Sequence, residues 1–346
     1  MRVYLDHNAT TPLRSEARDA MIAAMDIVGN ASSVHAEGRA AKGLLERARG
    51  TIASALGADG ADVIFVSGAT EGAALALAHQ TAECCDIEHE AVSSWCQTNL
   101  PADEMGQVVV SSPETTALQY ANSETGIIQK LPEGILLCDM TQAFGKHPIA
   151  FNWAGATMAL VSAHKLGGPK GIGALVVKRG TEIPAQILGG GQEMGRRSGT
   201  ENIIGIAGFA AAAEAAASDL ASGKWEKVEK LRNILELGIA QSANKTIFVG
   251  KDADRLPNTS CFITEGWRGE TQVMQMDLSG FAVSAGSACS SGKVKSSRVL
   301  RAMGFDEMSA GCALRVSLGL ETTEEQVLAF VDAWSKHHER FRARTG

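Results

Sequence analysis

Met158-Ala-Leu-Val-Ser-Ala-His-Lys165, then Leu166-Gly-Gly-Pro-Lys-Gly-Ile-Gly173, then Ala174-Leu-Val-Val177, is the stretch on which the fold turns. It holds two short, continuously apolar runs separated by glycine, proline and lysine, the pattern of strands buried on both faces. Ser162 to Lys165 follow the first run directly, and ligands of open α/β sheets bind beyond the carboxyl ends of strands. A lysine held there among glycines suits a Schiff-base amine, because burial lowers its pKa and exposes the free amine. A single lysine after a strand is more often structural, so the other strand ends decide.

Outward from this stretch, Val63–Val66 and Ile135–Cys138 read as further buried strands, and Gly38–Leu56 and Glu71–His79 as helices. Alternating strands and helices predict an α/β domain with a mainly parallel sheet. Asp139 ends one strand, with Gln142 three residues on; a carboxylate there either caps a turn or pairs with a protonated pyridinium nitrogen. Gly68-Ala69-Thr70 lies between a strand and a helix start, where free N–H groups and the helix dipole favour a phosphate. Lysine, aspartate and phosphate cradle on three strand ends together describe a pyridoxal phosphate site.

Asn202–Ala221 is an alanine-rich helix and Trp225–Ala240 another, with Ser222-Gly223 between them. The expected division is a large domain over 15–221 and a smaller α+β unit from 1–14 plus 222–346. The smaller unit is expected to hold strands at Ser260–Thr264 and Leu314–Leu318 and helices at Thr271–Leu278 and Thr323–Phe341. A length of 346 residues suits two domains. With 45% hydrophobic and 21% charged residues the composition is that of an ordinary globule, which excludes disorder, collagen and coiled coil. Thirty-two basic against 39 acidic side chains give a net charge of −7, which disfavours nucleic acid and anionic lipid as partners. A small-molecule substrate is expected, and neither a membrane helix nor a secretory signal is read from the chain. Seven cysteines without a C-x-x-C pair argue against a disulfide framework or a metal cage, and the chain is expected to be cytoplasmic.

Along nearly its whole length the sequence resembles the cysteine desulfurases, within the class V aminotransferase group of fold-type-I pyridoxal phosphate enzymes. The resemblance is carried by Tyr4-Leu-Asp-His-Asn-Ala-Thr-Thr-Pro12, Ser67-Gly-Ala-Thr-Glu71, Glu88-His89, Glu124-Thr-Gly126 and Asp139-Met-Thr-Gln142. It continues through Ser162–Gly173, Gly189-Gly-Gly-Gln-Glu193, Arg197-Ser-Gly-Thr200 and Gly286-Ser-Ala-Cys289. It implies a large domain with a mainly parallel sheet of the seven-stranded type and a smaller α+β domain. Lys165 is then the residue that forms the Schiff base with pyridoxal 5'-phosphate, Asp139 holds the ring nitrogen and Gln142 bonds the phenolic oxygen. His89 stacks on the ring and shuttles protons. Ala69, Thr70, Ser162 and His164 hold the phosphate, and Thr200 reaches across from a second subunit, so a homodimer is implied. Arg315 and Asn8 are implied in binding the substrate, L-cysteine, with Arg315 clamping its carboxylate; read alone, Arg315 is an exposed strand arginine. Cys289, among Ser284-Ala-Gly-Ser-Ala-Cys-Ser-Ser-Gly292, takes the sulfur as a persulfide for a sulfur-carrier or iron–sulfur scaffold protein.

The sequence departs from the family pattern in places. Ser123 stands where a cofactor-facing asparagine is usual, and Gly72-Ala73-Ala74 lacks an asparagine common there. Ala31 stands where Asn-Pro-x-Ser is usual. The segments from Glu71 to His89 and from Gln129 to Asp139 are short, leaving little room for crossover helices, which normally need about a dozen residues. Two rival readings stand beside the desulfurase: another class V enzyme, such as a selenocysteine lyase or aminotransferase, and a catalytically weak sulfur-relay subunit.

Overall fold

A computed structural model describes residues 2–286 and 296–345. Its central sheet hydrogen-bonds Asp62–Val66, Gly173–Val177, Met158–Ser162, Leu137–Asp139 and Ala117–Gln119, in that spatial order. A parallel bridge from Thr116 to Glu83 extends it to the parallel pair Glu83–Cys85 and Gln97–Leu100. Seven strands thus form one surface, and among them Gly173–Val177 runs antiparallel to both neighbours. Every side chain of Met158–Ser162 is buried, and their alternation between faces explains the layers. Ala159 and Val161 face a cluster with Leu45, Ile52, Ile206 and Phe209 from the helices Ala36–Ala55 and Ile203–Ala221. Met158 and Leu160 face the opposite cluster, with Leu75 and Leu77 of the helix Ala69–Leu77. Ile203–Ala221 is long and apolar enough to cross a membrane. It is instead a core helix, packed on Ser15–Met25 and Ala36–Ala55.

Two expected boundaries shift in ways that shape the site. The helix expected at Glu71 begins at Ala69, because Gly68 serves as its N-cap, so the N–H groups of Ala69 and Thr70 fall in the first turn. The strand expected at Ile135–Cys138 runs Leu137–Asp139, placing Asp139 within the ladder. The segment from Glu71 to His89, expected to leave little room for a crossover helix, holds most of the helix Ala69–Leu77, whereas that from Gln129 to Asp139 holds no helix among the described residues. Between Cys85 and Gln97 the chain holds only the one-turn helix Glu90–Ser93. Between Gln119 and Leu137 no helix is present among the described residues. That connection lies instead against the C-terminal half of the chain: Ile128 N–H donates to Asp254 at 2.9 Å and Leu256 N–H to Gly126 at 2.8 Å. Gln97, Thr98 and Asn99 of the outer strand stay exposed.

A second, antiparallel sheet orders Ser284–Ala285, Ala313–Ser317, Thr259–Ile263 and Ile247–Phe248. Its core gathers Trp267, Phe330 and Trp334 with Leu314 and Val316. Val3–Tyr4 pairs with Phe281–Ala282, so the first residues belong to this core, and Leu5 is buried in it.

Gly173 marks where the two sides of the site are forced together. A Cβ there would lie 2.6 Å from the Val161 carbonyl and 2.9 Å from Gly68 Cα, both backbone atoms. Gly173→Ala should therefore destabilise the fold by about 1–3 kcal/mol. Gly50, in a helix with open space at its Cβ position, should show the opposite sign when replaced by alanine, gaining up to about 1 kcal/mol. Urea unfolding of the two variants checks the pair, and equal midpoints would refute the close approach.

Candidate active site

The strand ends enclose a cavity of about 740 Å³. Lys165, Asp139, Gln142 and His89 line it, with Ala69 and Thr70 at one end and Asn8 and Arg315 at the other. Ser123, Ser162 and His164 complete the expected set on its wall. Thr200 is exposed and does not line this cavity; it lines an adjoining hollow that shares Ser67 and Gly171 with it. Cys289 lies outside the described residues. Six other cysteines are free, and all of them except Cys96 are buried.

Lys165 ends a turn of 3-10 helix directly after Met158–Ser162. Its Nζ donates to the backbone carbonyls of Asn8 at 2.6 Å and Ala9 at 2.9 Å. Asp139 Oδ1 accepts from Thr141 N–H at 2.9 Å. The turn cap that the sequence allowed is therefore real, and it leaves Oδ2 without a partner among the described residues. His89 N-caps the short helix Glu90–Ser93 by accepting from Ala91 N–H at Nδ1. An accepting Nδ1 puts the proton of the neutral ring on Nε2. Burial lowers its pKa, and the Asp139 carboxylate opposes that fall. His164 meets Thr10 Oγ1 at 3.1 Å. Burial, then Lys165, Lys170 and Lys146, pushes its pKa down to about 4, so it is neutral at pH 7.

Two expected substrate residues are differently placed. Asn8 is 1% exposed and its side-chain amide is committed to the protein: Nδ2 donates to Ser123 O and Thr259 Oγ1, while Oδ1 accepts from Asn258. Its backbone carbonyl, not its amide, serves the cavity. Arg315 is 2% exposed, which overturns the exposed-strand reading. Its Nη2 pairs with Asp6 Oδ1 at 2.8 Å, its Nη1 donates to Ser123 O at 3.1 Å, and its Nε is buried without a partner. Ser123 thus contributes a carbonyl where an asparagine side chain is usual in the family.

Sequence reasoning missed two buried ionisable groups. Lys146 is 3% exposed and donates to Gln142 Oε1 at 3.0 Å; its only signal is a lysine ending the otherwise apolar Ala143-Phe-Gly-Lys146. Glu124, quoted only as part of a motif, accepts from Ser297 Oγ at 2.5 Å, and Gly286 packs beside it.

The donor set fits pyridoxal phosphate. A helix N-terminus without a side-chain cap suits the phosphate, an open carboxylate oxygen suits a pyridinium, and an amine lies within the same cavity. The class-V aminotransferase family profile matches residues 3–99 and 73–330. The chain belongs to that family. A cysteine desulfurase of Cereibacter sphaeroides is 37% identical, over 94% of this chain and 93% of that one. The solved structure of a NifS-like protein from Rickettsia africae superposes with a TM-score of 0.88 at 29% identity, covering 98% of this chain and all of that one. The structure of SspA in complex with cysteine superposes at 0.75 and 26% identity, covering 93% and 100%. Class-V members depend on pyridoxal phosphate, and the sheet with its smaller α+β companion is the class-V fold.

Burial raises the Glu124 carboxyl from 4.5 to about 7, against the opposing pull of Ser297, Arg315 and Arg298. The folded chain then holds a proton that the unfolded chain has lost across that window, so stability falls as pH rises from about 4.5 to about 7. Glu124→Gln keeps an acceptor for Ser297 and removes the titration. It should flatten the fall by at most about 1.4 kcal/mol per pH unit. Urea unfolding across this range reads the slope, and a parental slope would show that Glu124 does not titrate there.

Proposed function

We propose that this class-V enzyme is a cysteine desulfurase that converts L-cysteine to L-alanine and holds the sulfur as a persulfide on Cys289. The observation that carries the reading is the convergence of Lys165, Asp139, Gln142 and the Ala69–Thr70 helix start on one cavity. The relatives named cysteine desulfurase support the choice of substrate.

Pyridoxal phosphate, when bound, supplies an electron sink for the bonds rearranged at the substrate α-carbon. The chain supplies the rest. Lys165 holds the cofactor by its amine, and the carbonyls of Asn8 and Ala9 fix where that amine stands before loading. Asp139 Oδ2 keeps the ring nitrogen protonated, because an opposite charge favours the charged form. The first-turn N–H groups of Ala69 and Thr70, with Ser162 and neutral His164, take the phosphate. Arg315 takes the substrate carboxylate through donors that Asp6 and Ser123 leave unused. His89 carries a proton at Nε2 and moves it at the substrate. The Cys289 thiolate would attack the substrate sulfur, forming a sulfur–sulfur bond as the carbon–sulfur bond breaks; the bonding pair stays with the substrate carbon, which takes up a proton to give alanine.

Thr200 is exposed beside its own cavity without lining it, which supports a homodimer in which it reaches the partner's cofactor. An iron–sulfur scaffold or sulfur-carrier protein is the proposed acceptor. The free cysteines suit a reducing cytoplasm.

Borohydride treatment of the loaded protein should fix a pyridoxyl group on Lys165, and Lys165→Ala should abolish it. Attachment mapped to Lys170, which also lines the cavity, would overturn the assignment. For Cys289, mass spectrometry after cysteine treatment should find a reducible extra sulfur there. Cys289→Ser should keep the cofactor and lose alanine formation by at least about 100-fold, since a serine oxygen accepts no persulfide. Wild-type alanine production by that variant, or sulfur carried on Cys84 or Cys312, would refute the mechanism.

A further inference from the structure

Gln142 is fastened at both ends of its amide. Its Oε1 accepts from Lys146 Nζ at 3.0 Å, and its Nε2 donates to the Asn8 carbonyl at 3.0 Å. A carbonyl can only accept, so the Asn8 contact fixes which way round the amide lies, and the Lys146 amine, donating to Oε1, fastens the other end. A flip would set acceptor against acceptor at Asn8 and break the bond to Lys146. One Nε2–H meets Asn8, and the second remains available on a residue that lines the cavity.

We infer that Lys146 is a positioning residue that holds the Gln142 amide with its N–H side to the cavity, so that the cavity offers a donor to an anionic oxygen of the cofactor. The inference rests on the pyridoxal phosphate reading above, in which Gln142 serves the phenolic oxygen. Without Lys146 only the Asn8 carbonyl would hold the amide, leaving its oxygen end unfastened and its N–H less firmly aimed at that anion.

The position is unusual for a lysine. Lys146 is 3% exposed, and Lys165 and Arg315, the charges that reach it, are both cations. His7 and His164, near enough to sense it, are neutral at pH 7, each held at about 4 chiefly by burial. Burial with these cations pushes Lys146 down to about 7. A buried amine without a carboxylate partner is costly, and a leucine or methionine would fill the space. The hydrogen bond to Gln142 is what the amine adds.

The test is a double-mutant cycle read by spectroscopy rather than turnover. Lys146→Met, Gln142→Met and the double variant are loaded with pyridoxal phosphate, and the pH midpoint of the bound cofactor's visible absorbance is measured for each. Losing the donor leaves the phenolic oxygen more basic and tightens its hold on the neighbouring proton, so the midpoint should rise by about half a unit or more. If Lys146 acts through Gln142, each single variant and the double should rise alike. Additive shifts would mean that Lys146 acts by charge alone and would overturn the inference, as would a Lys146→Met midpoint equal to the parent's. Should Gln142→Met not fold with its lysine stranded, the double variant, which strands none, is set against Lys146→Met: equal midpoints support the inference, and a further rise in the double variant overturns it. A parent protein that takes up no cofactor would sink both this inference and the reading beneath it, whereas a loaded parent with an unmoved Lys146→Met midpoint would sink only this one.

Discussion

Two backbone carbonyls, of Asn8 and Ala9, hold the amine on which the chemistry depends, and they can do so only if the short segment that carries them is itself immobile. Nearly every nearby element contributes to that. Leu5 N–H donates to Ala282, Asn8 N–H to Ser317 Oγ and Thr11 N–H to His164 O. The Asn8 amide ties Ser123, Asn258 and Thr259 together in the interior. Asp6 takes Arg315 on one carboxylate oxygen and Ser284 on the other. The segment therefore joins the end of the central sheet to the antiparallel sheet, and the cavity exists because both are fastened to the same short stretch of chain.

The charge pattern follows from that closeness. Lys146, Lys165 and Arg315 share one interior region, with the cavity's histidines pushed neutral by burial and cations. Of the nearby carboxyls, Asp6 is spent on Arg315, buried Glu88 is pushed well above the usual range by desolvation, and Asp139 keeps one oxygen without a partner among the described residues. Such a field draws an anion such as a phosphate or carboxylate, and leaves a single open carboxylate for a cation. A pyridinium that carries a phosphate meets both demands at once, which a simple anion would not.

The layers were legible because side chains alternate between the faces of a strand: Met158–Ser162 and Gly173–Val177 read as strands from unbroken apolar runs, and their ends gave most of the cavity wall. Direction was not legible, since a strand buried on both faces has the same composition whether parallel or antiparallel, and Gly173–Val177 reverses. Roles depending on what a side chain meets across the fold were also hidden. Asn8 looks like a free amide in sequence, yet its partners lie 115 to 251 positions away. Lys146 and Glu124 gave no pattern of their own, because a buried charge is defined by its neighbours rather than by spacing.

The connection between Gln119 and Leu137, which holds no helix among the described residues, shows how a chain settles its backbone without one. A helix satisfies its own backbone, so its absence leaves N–H and carbonyl groups that must find other partners. Here side-chain amides take over. Asn122 Oδ1 accepts from the N–H groups of Glu124 and Thr125, and its Nδ2 donates to Ile87 O. Gln129 accepts from Val108 N–H and donates to Gly106 O, while Gln107 donates to Ile128 O. The same turn places Ser123 O against Asn8 and Arg315, and Glu124 against Ser297. The amides that settle this connection thus also fix one wall of the cavity, which is built here from loop geometry rather than from a helix.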